Sequence, residues 1–162
     1  MSEFNKAALL NSAKRINVSY FKEQQEDAIN AIWQWWQSSS ITFTLSGYAG
    51  TGKTFIMRHL VRYLITEKVC VTAPTHKALR VLENSSGRKG MTIQSLCGLR
   101  PDVDIEDYNI ENPSFKVIGE QKMRSYKLVI VDECSMINPG LFNLLIKTAI
   151  QCRCKLLFLG EM

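Results

Sequence analysis

No apolar run in this chain approaches the roughly 20 residues that a membrane-spanning helix needs, so no helical span is expected. The first residues, Met1 to Lys6, lack the charged-then-apolar build of a secretory signal, and the expectation is a cytoplasmic protein with no membrane partner. Histidine occurs only twice, and cysteine, present five times, forms only one close pair, Cys152-x-Cys154. With no second pair and no histidine cluster beside it, a metal site there is the weaker reading and two incidental thiols the stronger. Free thiols suit a reducing compartment. Hydrophobic residues at 46% and charged residues at 22% exclude a disordered chain, and 162 residues suffice for one domain with a real core.

What the sequence does hold is Gly47-Tyr48-Ala49-Gly50-Thr51-Gly52-Lys53-Thr54, which fits G-x-x-x-x-G-K-[ST]. Before it, Ile41, Phe43 and Leu45 alternate with Thr42, Thr44 and Ser46 as in a strand. After it, Ile56, Leu60, Tyr63 and Leu64 share one helix face. A strand, a glycine-rich loop and a helix in that order make a phosphate cradle. Glycines let backbone N–H groups converge on phosphate oxygens, and the helix N-terminus adds positive potential. The ATP-binding candidates are therefore Gly47, Gly50, Thr51, Gly52, Lys53 and Thr54, with Lys53 on the β- and γ-phosphates and the Thr54 hydroxyl on Mg²⁺.

Upstream, a helix opens near Phe21 and carries Gln25, Ala28, Ile29, Ile32, Trp33 and Trp36 on one broad face. The tryptophans could stack bases, but at helical spacing beside isoleucines they read as core. Gln25 offers an amide whose paired donor and acceptor match adenine, or else it is a surface glutamine. Downstream, Val69 to Ala73 is a short apolar run suited to a buried parallel strand. It ends at Pro74-Thr75-His76-Lys77-Ala78, where a further helix buries Ala78, Val81 and Leu82. His76 at a strand's C-terminal end reads as a hydrogen-bonding contact rather than a general base, since nothing near it in sequence activates it.

From Pro74 to Arg100 five basic residues (Lys77, Arg80, Arg88, Lys89, Arg100) stand against Glu83 alone, out of a net charge of +5 for the chain. Such a stretch is either a phosphate-backbone footprint or a solvated helix face. Met91 to Leu96 reads as a short helix capped by Thr92. Residues 101–114 turn acidic and read as an exposed insertion, with a hairpin through residues 115–119. Leu128 to Val131 is the next buried strand, and it ends in Asp132-Glu133. An acid pair there is what a phosphate loop needs opposite it: Asp132 to hold Mg²⁺ through water, Glu133 to orient and deprotonate the attacking water. Asn138-Pro139 caps a helix with Leu141, Leu144, Leu145 and Ala149 inward, and Lys155 to Leu159 is the last strand.

Taken together, these segments resemble the first motor domain of superfamily 1 DNA helicases, in the RecD-like and Dda-like branch. The resemblance rests on Gln25, Gly47 to Thr54, Ala73 to Ala78, Thr92-Ile93-Gln94-Ser95-Leu96 and Val131 to Met136, in order. It implies an α/β fold, a RecA-like mostly parallel sheet with helices on both faces, over residues 21–162. Residues 1–20 are then an extension and 101–120 a small insertion. It also implies that Gln25 reads adenine, that ATP and Mg²⁺ are the cofactors, and that Lys53 and Glu133 are catalytic. Single-stranded DNA is the implied partner, contacted by Thr75, His76, Lys77, Thr92, Gln94 and Ser95 and traversed 5′ to 3′. The chain departs from the family at Gln94, where histidine is usual, and at Glu161, where aspartate is usual. The second motor domain is expected to be absent from this chain and supplied, if at all, by a partner; replication or repair proteins are further expected partners. A regulatory nucleotide- or strand-binding module without motor activity is the alternative. A clamp-loader-like ATPase fits less well with the Pro-Thr-His and Cys-Ser-Met segments.

Overall fold

The computed structural model describes residues 23–63, 68–99 and 119–160. Residues 1–22, 64–67, 100–118 and 161–162 lie outside the described residues, and with them most of the expected insertion and hairpin and the departure at Glu161. Helix α1 (Glu23–Gln37) leads into β1 (Thr42–Ser46), the glycine loop and α2 (Lys53–Tyr63). Then follow β2 (Val69–Thr72), α3 (His76–Ser86), the short α4 (Ile93–Cys97), β3 (Leu128–Val131), α5 (Pro139–Cys152) and β4 (Lys155–Gly160). Two 3₁₀ turns, Lys122–Ser125 and Cys134–Met136, flank β3.

The described strands form one parallel sheet in the order β1-β4-β3-β2. Every strand therefore ends at the same edge, and β4 stands between the strand that feeds the glycine loop and the strand that ends in Asp132. Strand alternation divides the interior in two. Val69, Val71, Leu128, Ile130, Leu157 and Leu159 face α1, α2 and α3. Cys70, Val129, Val131, Leu156 and Phe158 face α4 and α5. Because both faces are covered, β2 and β3 read as unbroken apolar runs rather than as alternations. Each fully buried aliphatic chain here contributes about 1.5–3 kcal/mol relative to exposure.

The helix ends follow from local chemistry. The Thr75, Thr92 and Asn138 side chains accept from the N–H groups of Ala78, Ser95 and Leu141, capping α3, α4 and α5. Three expectations are corrected. On α1 the deepest tryptophan is Trp35, 5% exposed and 5.7 Å from the Phe43 ring, while Trp33 and Trp36 are only partly buried. On α3 the inward residues are Leu79 and Leu82, three apart on one face, and Val81 is 63% exposed. Arg88 is half-buried and donates Nη2 to Val61 O at 2.8 Å, which ties it to α2 and takes it out of the basic surface.

Candidate nucleotide-binding site

The glycine loop crosses from β1 to α2 over the C-terminal edge of the sheet. Gly47 N–H donates to Gly160 O at 3.3 Å, seating the loop on the end of β4. Gly50 (φ +78°) and Gly52 (φ +93°) take left-handed conformations that L side chains rarely adopt. Gly52 also accepts the first helical bond of α2, from Ile56 N–H at 2.9 Å. Thr51 Oγ1 donates to Tyr48 O at 2.9 Å and holds the turn. Lys53 and Thr54 are thus the first residues of a helix whose N-terminus points into the loop. Lys53 Nζ donates to Gly47 O at 2.5 Å and to Tyr48 O at 2.8 Å, so the ammonium lies in the mouth of its own loop.

Gln25 reaches this loop from α1. Its Nε2 donates to Thr51 O at 3.0 Å, and a Cβ placed on Gly52 would lie 2.0 Å from the same nitrogen. A side chain there would push this flexible amide aside, besides being strained at the left-handed φ.

Across the end of β4, Asp132 is half-buried and Glu133 exposed. Glu133 N–H donates to Asp132 Oδ1 at 2.9 Å. Glu133 itself is left-handed (φ 51°, ψ 40°), a conformation costing about 1–2 kcal/mol in a non-glycine residue. It turns the chain sharply from β3 into the Cys134–Met136 turn. Cys134 Sγ then packs on Gly160, where a Cβ would approach it to 2.6 Å. A cleft of about 840 Å³ joins the two halves; Gly50, Gly52, Lys53 and Thr54 line it from one side, Asp132 and Glu133 from the other. Its volume lies in the range of small-molecule sites.

Ser135 and Met136, from the segment that carries the resemblance, also line the cleft, as does Arg58, which was not singled out from sequence. Arg58 was findable, since it is one helical turn beyond Thr54; its Nε donates to Ser85 O at 2.8 Å, tying α2 to α3. Gly160 enters through the strand order, for which the sequence carries no local signal.

The six residues expected to touch a nucleic-acid strand lie at the start of α3 and of α4, outside the cleft lining. Thr75 and Thr92 each accept a helix-capping hydrogen bond. His76 and Lys77 are exposed at the start of α3, and Gln94 and Ser95 are half-buried on α4. Thr72 Oγ1 donates to Met91 O at 2.5 Å, and Met91 N–H to Val71 O at 3.2 Å, which holds the start of α4 against the end of β2. Asp132 N–H donates to Thr72 O at 3.0 Å, so the same strand end neighbours the acid pair.

All five cysteines are free thiols. Burial pushes Cys70 and Cys97 up to about 11 and Cys154 up to about 12, leaving them protonated and inert. Cys152 Sγ donates to Gln121 Oε1 while Cys154 Sγ donates to Lys155 O, so the close pair has divergent partners. No group of three metal-ligating side chains is found among the described residues.

A family described as an AAA domain (AAA_30) matches residues 20–162. The chain belongs to that family. The AAA-domain chain is 30% identical over 142 residues to the protein named ATP-dependent DNA helicase dda of Enterobacteria phage T4, covering 86% of this chain and 31% of that protein. Among solved structures, Pif1 helicase from Candida albicans superimposes with a TM-score of 0.59 at 24% identity, covering 87% of this chain and 32% of that one. Bacteroides sp. Pif1, solved in complex with ADP-AlF4, gives 0.59 at 22%, covering 88% and 32%. The AAA-domain chain thus has the RecA-like fold and corresponds to the first motor domain of the Dda- and Pif1-like group. It spans about a third of the length of these relatives. Among the described residues no helix is long and apolar enough to cross a membrane.

Proposed function

We propose that this chain is the ATP-binding lobe of a DNA helicase motor. Together with a second RecA-like lobe it couples ATP hydrolysis to 5′-to-3′ movement on single-stranded DNA and to duplex unwinding. The observation that carries this reading is the shared cleft, in which the glycine loop faces an Asp-Glu pair across the end of one strand. The names of the relatives, ATP-dependent DNA helicases, support extending that cleft chemistry to DNA.

In this reading phosphate oxygens take over from the loop carbonyls as acceptors for Lys53, and the left-handed glycines present backbone N–H groups beside it. Gln25, already on Thr51, reads the adenine edge. The exposed Thr54 hydroxyl and the Asp132 carboxylate line one cleft and are hard oxygen donors, which fits Mg²⁺. When bound, the ion would neutralise charge on the phosphate oxygens. Glu133, exposed and aimed by its left-handed backbone, holds the attacking water and takes its proton. Thr75, His76, Lys77, Thr92, Gln94 and Ser95 form the strand-contacting edge. Free, mostly buried thiols support a reducing, cytoplasmic setting.

The test is ATP turnover by the full chain with and without a single-stranded oligonucleotide, beside Lys53→Ala and Glu133→Gln. Turnover is expected to be slow, to rise with DNA, and to vanish in both variants while Glu133→Gln still binds nucleotide. Turnover indifferent to both substitutions contradicts the reading. Nucleotide or DNA binding with no turnover under any condition points instead to a regulatory module without motor activity.

A further inference from the structure

Lys122 sits on the 3₁₀ turn that follows the insertion, and its Nζ donates to Ser95 Oγ at 3.3 Å. The turn packs beside α4, with Met123 wholly buried under it as an anchor. Lys122 itself is exposed.

The hydrogen-bond arithmetic at this spot is one-sided. Ser95 Oγ accepts from Lys122, and Thr92 Oγ1 accepts from Ser95 N–H at 3.2 Å. Each hydroxyl has accepted one hydrogen bond and still has its own proton to give. The lysine ammonium has three N–H groups and no acceptor. An exposed cation with N–H groups beyond the one given to Ser95, beside two hydroxyls that can donate, suits a ligand that accepts and carries negative charge, namely a phosphodiester. The neighbouring cation, Arg124, stands instead near Cys152 at the end of α5, where burial raises the pKa of the thiol and the Arg124 charge partly opposes it.

We propose that Lys122, with the Ser95 and Thr92 hydroxyls, forms a phosphate-binding point that extends the strand-contacting edge from α3 along α4. The proposal rests on the single-strand reading above and adds to it a residue far from the edge in sequence. The chain makes this juxtaposition through the close return of the insertion, where Gly119 N–H donates to Gly98 O at 3.1 Å. A Cβ on Gly98 would lie 2.7 Å from Gly119 O, so the glycine permits that approach.

The experiment is fluorescence-anisotropy titration of a dye-labelled oligothymidylate into the full chain across a salt series. Wild type, Lys122→Ala, Lys122→Arg, Ser95→Ala and Arg124→Ala are compared. Removing one phosphate contact lowers the slope of log K against log salt by about 0.7 for a single strand. Lys122→Ala is expected to show that loss of slope and several-fold weaker binding at low salt. Lys122→Arg restores the slope, Ser95→Ala weakens binding with the slope kept, and Arg124→Ala changes neither. Tripolyphosphate binding at the glycine loop stays unchanged in Lys122→Ala, which separates a strand phosphate from a free one. A wild-type slope in Lys122→Ala, or a tripolyphosphate affinity that falls with it, overturns the proposal. Failure of the wild-type chain to bind the oligonucleotide at all overturns the single-strand reading, and this site with it.

Discussion

Gln25 Nε2 donates to Thr51 O at 3.0 Å, joining the first described helix to the glycine loop. One amide therefore serves two ends: its nitrogen braces the loop while its oxygen stays available to a ligand. A hydrogen bond of this kind contributes about 0.5–1.5 kcal/mol, which is roughly 2- to 10-fold in affinity. Gln25→Ala is expected to weaken ATP binding by that factor, read by calorimetric titration with MgATP. Gly52→Ala, which drives a Cβ into the same amide, should weaken it more.

Lys155 at the start of β4 donates Nζ to the carbonyls of Trp35 (3.1 Å), Ser38 (2.8 Å) and Ser40 (2.6 Å), with the Trp35 ring 4.9 Å away. It closes the C-terminal end of α1, where a cation also suits the helix dipole. Lys155→Met is expected to cost about 2 kcal/mol, a fall in Tm of about 4–8 °C. Trp35→Ala should cost about 3–5 kcal/mol and the same change at Trp33 clearly less, both read from urea unfolding.

His59 is buried at 4% exposure on α2, with Nδ1 donating to Phe55 O at 3.0 Å and its ring 4.2 Å from the Phe55 ring. Burial holds its pKa below the usual value; the Phe55 carbonyl opposes this, and Arg62 and Arg58 add to it. The unfolded chain therefore binds this proton first as pH falls. Stability is full above about 6.5 and declines as pH drops from there towards the folded-state pKa. Wild type is expected to lose more Tm than His59→Gln between pH 7.5 and pH 5.5, each measured against its own neutral value.

Much of the fold was legible because the informative segments carry redundant signals. Val69 to Val71 and Leu128 to Val131 are apolar without alternation, short and rich in valine, as suits a strand covered on both faces. The loop from Gly47 to Thr54 and the acid pair are short motifs set by phosphate chemistry, and the sheet order brings them to one cleft. Trp35 was not legible, because tryptophans at 33, 35 and 36 straddle the helix face and the choice depends on where Phe43 lies across the packing. Val81 was misplaced for a similar reason: Ala78, Val81 and Leu82 share a face at helical spacing, as Leu79 and Leu82 also do, and only the packing decides between them. Lys122 carries no local signal at all. Only the three-dimensional return of the chain to α4 brings it to Ser95.

The most direct test of the account is titration of MgATP into the folded wild-type chain and into Lys53→Ala. The account predicts saturable binding by wild type and a loss of at least about tenfold in the variant, equal to about 1.4 kcal/mol of phosphate contact. Equal binding by the two proteins, or no binding by a wild-type chain shown to be folded, would contradict it.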